Sequence, residues 1–128
     1  MVGVLVVDDH EQFRGAAREL IEATPGFEAV GEAASGEEAL RMLQSLDPDL
    51  VLLDVRLPGM NGIQTAARIT SDHPHPTVFL VSVDEPADLP MGAASCGAAT
   101  FIRKRELRPR ELRRLWAEHG RAGITPTT

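Results

Sequence analysis

The sequence predicts an α/β protein: a doubly wound parallel sheet with helices on both faces. Three observations carry that expectation. Five short apolar runs recur along the chain, at 2–9, 28–34, 50–54, 77–82 and 99–103. Segments with helical spacing separate them, so strand and helix alternate from end to end. The first, third and fourth runs are almost wholly apolar, as strands covered on both faces must be. The second, EAVGEAA, is mixed and suits a sheet edge.

Each element has its own signal. After VGVLVVDD, residues 11–23 place Phe13, Ala16, Ala17, Leu20 and Ile21 at helical spacing and stop before the breaker TPGF. The second helix opens on a capping-box pattern, Ser35 with Glu38, and turns Ala39, Leu40, Leu43 and Leu46 inward until DPD at 47–49 closes it. A third helix covers 62–72, with Ile63, Ala66, Ala67 and Ile69 apolar, and HPHP ends it. Beyond TVFLVS, Pro86, Pro90 and Gly92 crowd the next segment, which predicts a fourth helix that is short and begins late. The last helix opens at Pro109, a good first-turn residue, and sets Leu112, Leu115 and Trp116 on one face.

Composition narrows the class. With 128 residues, 43% of them hydrophobic and 25% charged, the chain fits one domain with a real core. Four Phe, one Trp and no Tyr make that core mostly aliphatic. No run approaches the ~18 apolar residues of a membrane span. The single cysteine, Cys96, precludes an internal disulfide and suits a reducing compartment, so a cytoplasmic location is expected. The domain is expected to span 1–120, with 121–128 as a tail or linker stub.

The stretch LVLLDVRLPGMNG carries the functional signal. A strand buried on both faces ends on Asp54, where an unpaired carboxylate would be costly to bury. In a doubly wound sheet, ligands bind at the carboxyl ends of the strands. There the sequence puts Asp8 and Asp9 after the first strand, Asp54 on the third, Ser82 on the fourth and Lys104 after the fifth. Three carboxylates close together repel unless a cation compensates, and Mg²⁺ is the hard ion that takes a few carboxylates while keeping phosphate oxygens as ligands. A carboxylate can attack phosphorus to form an acyl phosphate, with Ser82 donating to one phosphoryl oxygen and Lys104 neutralising another. The pattern predicts a site for phosphoryl transfer.

LVVDDH, DPDLVLLDVRLPGMNG, FLVS and GAATFIRK resemble, in order and over nearly the whole chain, the receiver domain of bacterial two-component response regulators, and in wording its NarL/LuxR-like subfamily. The resemblance implies a flavodoxin-like (βα)5 fold with strand order 2-1-3-4-5. It implies Asp54 as phosphoacceptor and Mg²⁺ held by Asp8, Asp9, Asp54 and the backbone carbonyl of Arg56. It also implies Ser82 and Lys104 as the phosphoryl-binding pair, and Phe101 as the aromatic that turns inward with Ser82. The implied partner is a sensor histidine kinase. The surface that switches is the fourth helix, fifth strand and fifth helix, with a homodimer on phosphorylation. The chain departs from the pattern at Val83, where a small residue is usual, and a branched side chain there is expected to limit access to Asp54. Arg105 replaces a frequent proline, which argues against a cis bond after Lys104, since a non-proline cis peptide costs ~2.5–4 kcal/mol.

Rival readings are weaker. A pseudo-receiver, an interaction module indifferent to phosphorylation, would keep the fold but has no use for the intact acidic and basic set. A haloacid-dehalogenase-type phosphatase would need an acid two residues after the nucleophile, and Arg56 stands there. The basic segment 103–114 superficially resembles the opening of a LuxR-type DNA-binding domain, yet it lies where the receiver's own last helix belongs. DNA contact is therefore expected only through a domain outside this chain, and Arg110, Arg113 and Arg114 as solvated or ion-paired. His10 is expected to position the turn after the acids, His73 and His75 to be solvent-exposed loop residues, and Cys96 to be buried and inert.

Overall fold

The computed structural model describes residues 1–120. The strands are β1 (Val2–Val7), β2 (Phe27–Ala33), β3 (Leu50–Asp54), β4 (Thr77–Ser82) and β5 (Thr100–Arg103). The helices are α1 (Glu11–Glu22), α2 (Gly36–Met42), α3 (Gly62–Asp72) and α4 (Pro109–His119). All strand pairs are parallel and their order is β2-β1-β3-β4-β5, so the three most apolar strands are the central ones. The expected tail at 121–128 lies outside the described residues.

Alternation along each strand sorts the core into two layers. Val2, Val4, Val6, Leu52, Phe79 and Ile102 pack against α1 and α4, with Trp116 set edge-on to Phe27. Leu5, Val7, Val51, Leu53, Val78 and Leu80 pack against α2 and α3. Ala16 and Ala67, apolar by type, are on solvent-facing sides of their helices.

Caps explain where helices start. Pro109 occupies the first turn of α4. The Ser35 side chain accepts the Glu38 N–H, but the Glu38 carboxylate takes the N–H of Ala34 rather than that of Ser35, so the reciprocal arm reaches one residue further back. A complete capping box, unanticipated in the sequence, joins Asn61 and Gln64 at the start of α3. Helix α2 is shorter than the expected extent to 47–49: it ends at Met42, and Leu46 packs on the core from the turn that follows.

The short fourth helix expected between β4 and β5 does not form. Only a 3-10 turn, Pro86–Asp88, is present, followed by turns. Proline removes backbone donors there, and Gly92 and Gly97 sit at φ +94° and +93°, outside any right-handed helix. The segment instead packs on α3 at Thr70, whose hydroxyl is shared between the Ala66 carbonyl of its own helix at 3.0 Å and the Cys96 carbonyl at 3.1 Å. An open groove of about 500 Å³ remains beside β5, lined in part by Leu80, Leu89, Ala93 and Phe101. All described peptide bonds are trans, including that after Lys104.

Candidate functional site

Parallel strands deliver their last residues to one rim. Val7 lies beside Leu53, Asp54 beside Val81 and Ser82 beside Arg103, so the residues that end or follow β1, β3, β4 and β5 converge. Asp8 is fully buried and Asp54 nearly so, while Asp9 is exposed. The Lys104 ammonium stands 2.7 Å from Asp8 Oδ2 and 3.6 Å from Asp54 Oδ2. It also lies 4.3 Å over the centroid of the Phe13 ring, an attraction between cation and ring face.

His10 fixes the acidic turn as expected. Its backbone N–H donates to Asp8 Oδ1 at 2.8 Å, and its ring Nδ1 is 3.0 Å from the same oxygen and 3.2 Å from Asp9 Oδ1. Arg14 donates to the Asp8 carbonyl. The Arg56 N–H donates to Asp54 Oδ1 at 3.2 Å.

Electrostatics split the two buried acids. Burial works to raise the Asp8 carboxyl, but the Lys104 ammonium and the His10 N–H outweigh it and hold Asp8 below the ordinary carboxylate value. Burial, reinforced by the Asp8 charge, pushes Asp54 up to about 6, with Lys104 offsetting only part. Asp8, Asp9, His10 and Asp54 offer donor atoms that all lie within 4.8 Å of one another. Three carboxylates faced by one ammonium leave excess negative charge, and the oxygen-rich donor set fits a hard divalent cation.

Two residues named from the sequence lie apart from this cluster. Phe101 is half-buried and lines the groove beside β5. Val83 is 75% exposed and borders a second groove with Phe13 and Lys104. Ser82 is fully buried at the rim, and its hydroxyl donates to Asp84 Oδ2 at 3.0 Å. Asp84 and Phe13 were not expected at the site. An acid two residues beyond Ser82 and a cation two residues beyond Asp54, on neighbouring parallel strands, was the available signal for the Asp84–Arg56 pair.

The histidines need correction. His73 and His75 are both half-buried rather than solvent-exposed, and His75 Nε2 lies 2.9 Å from Asp49 Oδ1 while Asp49 Oδ2 accepts the Gly3 N–H. The His75–Asp49 contact ties this loop to the end of the sheet opposite Asp54. Cys96 is buried, as expected. Arg114 is ion-paired within its own helix, to Glu111 and Glu118.

Residues 4–116 match the family described as response regulator receiver domain. The chain is 38% identical over 104 residues to the response regulator GacA of Pseudomonas viridiflava, covering 81% of this chain and 49% of that protein. It is 34% identical over 109 residues to the nitrate/nitrite response regulator NarL of Escherichia coli K12, covering 85% of this chain and 50% of that one. The chain thus spans about half the length of these curated relatives. Among solved structures, the signal receiver domain of a NarL from Mycobacterium tuberculosis superposes with a TM-score of 0.80 at 36% identity, covering 91% of this chain and 94% of that one. Strand order, the acidic rim and these matches agree: the chain belongs to the NarL-like receiver domains of two-component response regulators.

Proposed function

We propose that Asp54 accepts a phosphoryl group from a sensor histidine kinase and that the modified chain acts as a switch. The observation that carries this reading is the shared ammonium: Lys104 stands between Asp8 and Asp54 on a rim where a buried carboxylate is otherwise unneutralised. One Asp54 oxygen attacks phosphorus, an O–P bond forms, and the bond to the donor's nitrogen breaks with its electron pair leaving on that nitrogen. Asp8, Asp9, Asp54 and the Arg56 carbonyl are the residues that would hold Mg²⁺, which when bound neutralises the charge gathering on the phosphoryl oxygens. Lys104 shifts from Asp8 toward a phosphoryl oxygen, and the Ser82 hydroxyl donates to another.

The rest of the reading follows the charge. Movement of Ser82 gives Phe101 room to turn from its groove toward the core, which alters the surface made by the 84–99 segment, β5 and α4. A bias of a few kcal/mol between two existing states is enough for that. Val83, on the approach past Lys104, limits access to Asp54. Residues 1–120 form the receiver unit, which dimerises when phosphorylated and acts in the cytoplasm; any contact with DNA belongs to a domain outside this chain. Turnover is confined to its own phosphorylation and slow hydrolysis of the acyl phosphate.

The test is intact mass after incubation with Mg²⁺ and acetyl phosphate. One added phosphoryl group, missing in Asp54→Asn and without Mg²⁺, supports the reading. No adduct from acetyl phosphate or from a phosphorylated histidine kinase would favour the pseudo-receiver instead.

A further inference from the structure

Asp84 lies just past β4, on the loop that leads into the 3-10 turn. Its backbone N–H donates to Ser82 Oγ at 3.0 Å, and the Ser82 hydroxyl donates back to Asp84 Oδ2 at 3.0 Å. The same Oδ2 also accepts from Arg56 Nε at 2.9 Å. Arg56 also donates to the carbonyl of Asp88 at 3.4 Å, which ties the grip to the turn at Pro86–Asp88. Ser82 itself is fully buried, so water does not compete for its hydroxyl.

A serine hydroxyl carries one proton. While the hydroxyl donates that proton in a hydrogen bond to Asp84, it cannot also donate it to a phosphoryl oxygen on Asp54. We propose that Asp84 is a positioning residue that holds the Ser82 hydroxyl away from the phosphoacceptor, with Arg56 as its clamp; this rests on the phosphoacceptor reading of Asp54. The bond is charge-assisted on the acceptor side, so it competes well with a phosphoryl oxygen, itself an anionic acceptor. Modification of Asp54 therefore breaks the Ser82–Asp84 hydrogen bond as well as making a new one, the proton staying on Ser82 Oγ throughout. Because Arg56 holds both Asp84 and the Asp88 carbonyl, loosening Asp84 also loosens the segment that leads to the groove around Phe101. The switch is thereby coupled to the place where the expected fourth helix is missing.

The test uses beryllofluoride, a phosphoryl mimic, titrated at saturating Mg²⁺ and followed by ¹⁹F NMR of the bound fluoride. Asp84→Ala frees the hydroxyl and is expected to tighten binding by roughly tenfold, the effect of removing one charge-assisted competitor from a two-state equilibrium. Arg56→Met is expected to act in the same direction and less strongly. The deciding measurement repeats Asp84→Ala in a Ser82→Ala background, where no hydroxyl remains to hold and the gain should vanish. A gain that persists there is only the removal of a negative charge near an anion, and it overturns the proposal, as does an unchanged midpoint in Asp84→Ala alone. If the unaltered chain binds no beryllofluoride, the phosphoacceptor reading fails and the proposal falls with it.

Discussion

The ammonium of Lys104 is shared unequally: it lies 2.7 Å from Asp8 Oδ2 and 3.6 Å from Asp54 Oδ2. One cation thus serves two buried carboxylates, and the nearer keeps its charge at the expense of the other. Asp8 is held below the ordinary value, so its contribution to stability is present above the unfolded value and lost as pH falls through the folded one.

Lys104→Met keeps most of the bulk against Phe13 but leaves both carboxylates without their cation. Breaking a buried pair from one side costs roughly 3–5 kcal/mol, and the lower end is expected at pH 7 because Lys104 retains some solvent contact. The loss should shrink toward pH 4, where Asp54 is already protonated and Asp8, deprived of its cation in the variant, takes up a proton more readily than in the parent. Urea melts at the two pH values check this, and an equal loss at both would show that the ammonium is a packing element only.

Asp54 titrates the other way. Its folded value of about 6 lies above the 3.8 of an ordinary aspartate. The folded state therefore holds a proton that the unfolded chain has released, so this stabilisation is full below about pH 4 and is lost as pH rises through 6. Asp54→Asn carries no such loss. The variant is expected to match the parent near pH 4 and to exceed it at pH 7.5 by about 2 kcal/mol, several degrees in Tm. Added Mg²⁺ should narrow the gap by stabilising the parent alone. A constant offset across pH would refute the assignment.

What the sequence made legible was whatever depends on pattern. Alternation of apolar runs and helical spacing gave the strand order's central members, and strand ends gave Asp8, Asp54, Ser82 and Lys104 as neighbours. Contacts that depend on where a side chain swings were not legible. His75 reads as a loop residue because nothing in HPHP says that its ring reaches Asp49, 26 residues away in sequence. The crowding of Pro86, Pro90 and Gly92 predicts a helix that is short and late, not one that is missing. The positive φ of Gly92 and of Gly97, which no pattern in the sequence announces, rules out even the short one. The partner of the Ser82 hydroxyl was hidden for the same reason as His75: an acid after a strand reads as loop until its geometry is seen.

Val83 separates access from packing. The residue is 75% exposed beside Phe13 and Lys104, so Val83→Ala should leave stability within about 0.5 kcal/mol. If the branched side chain obstructs donors, acetyl phosphate should modify the variant two- to fivefold faster, roughly 1 kcal/mol or less of barrier. The rate constant from intact-mass time courses decides it. An unchanged rate removes Val83 from the site.

Gly62 holds the floor of the site in place by having no side chain. It is the first residue of α3, and its N–H donates to the carbonyl of Val55 at 2.9 Å. A methyl group there would lie 2.1 Å from the Asp54 carbonyl oxygen and 2.6 Å from Val55 Cα, both backbone atoms that cannot rotate aside. Gly62→Ala must therefore move α3 away from the end of β3. The expected cost is about 2–3 kcal/mol, in the range of overpacked sites. The displacement should also weaken stabilisation by Mg²⁺, because Asp54 moves with its own carbonyl. Gly15→Ala is the matched control: it lies on α1 with only the flexible end of Arg18 nearby, at 4.0 Å. Alanine is the better helix former by about 1 kcal/mol, so that variant should be neutral or slightly stabilised. Thermal melts of the two variants with and without Mg²⁺ make the comparison, and equal behaviour would show that α3 can shift without disturbing Asp54.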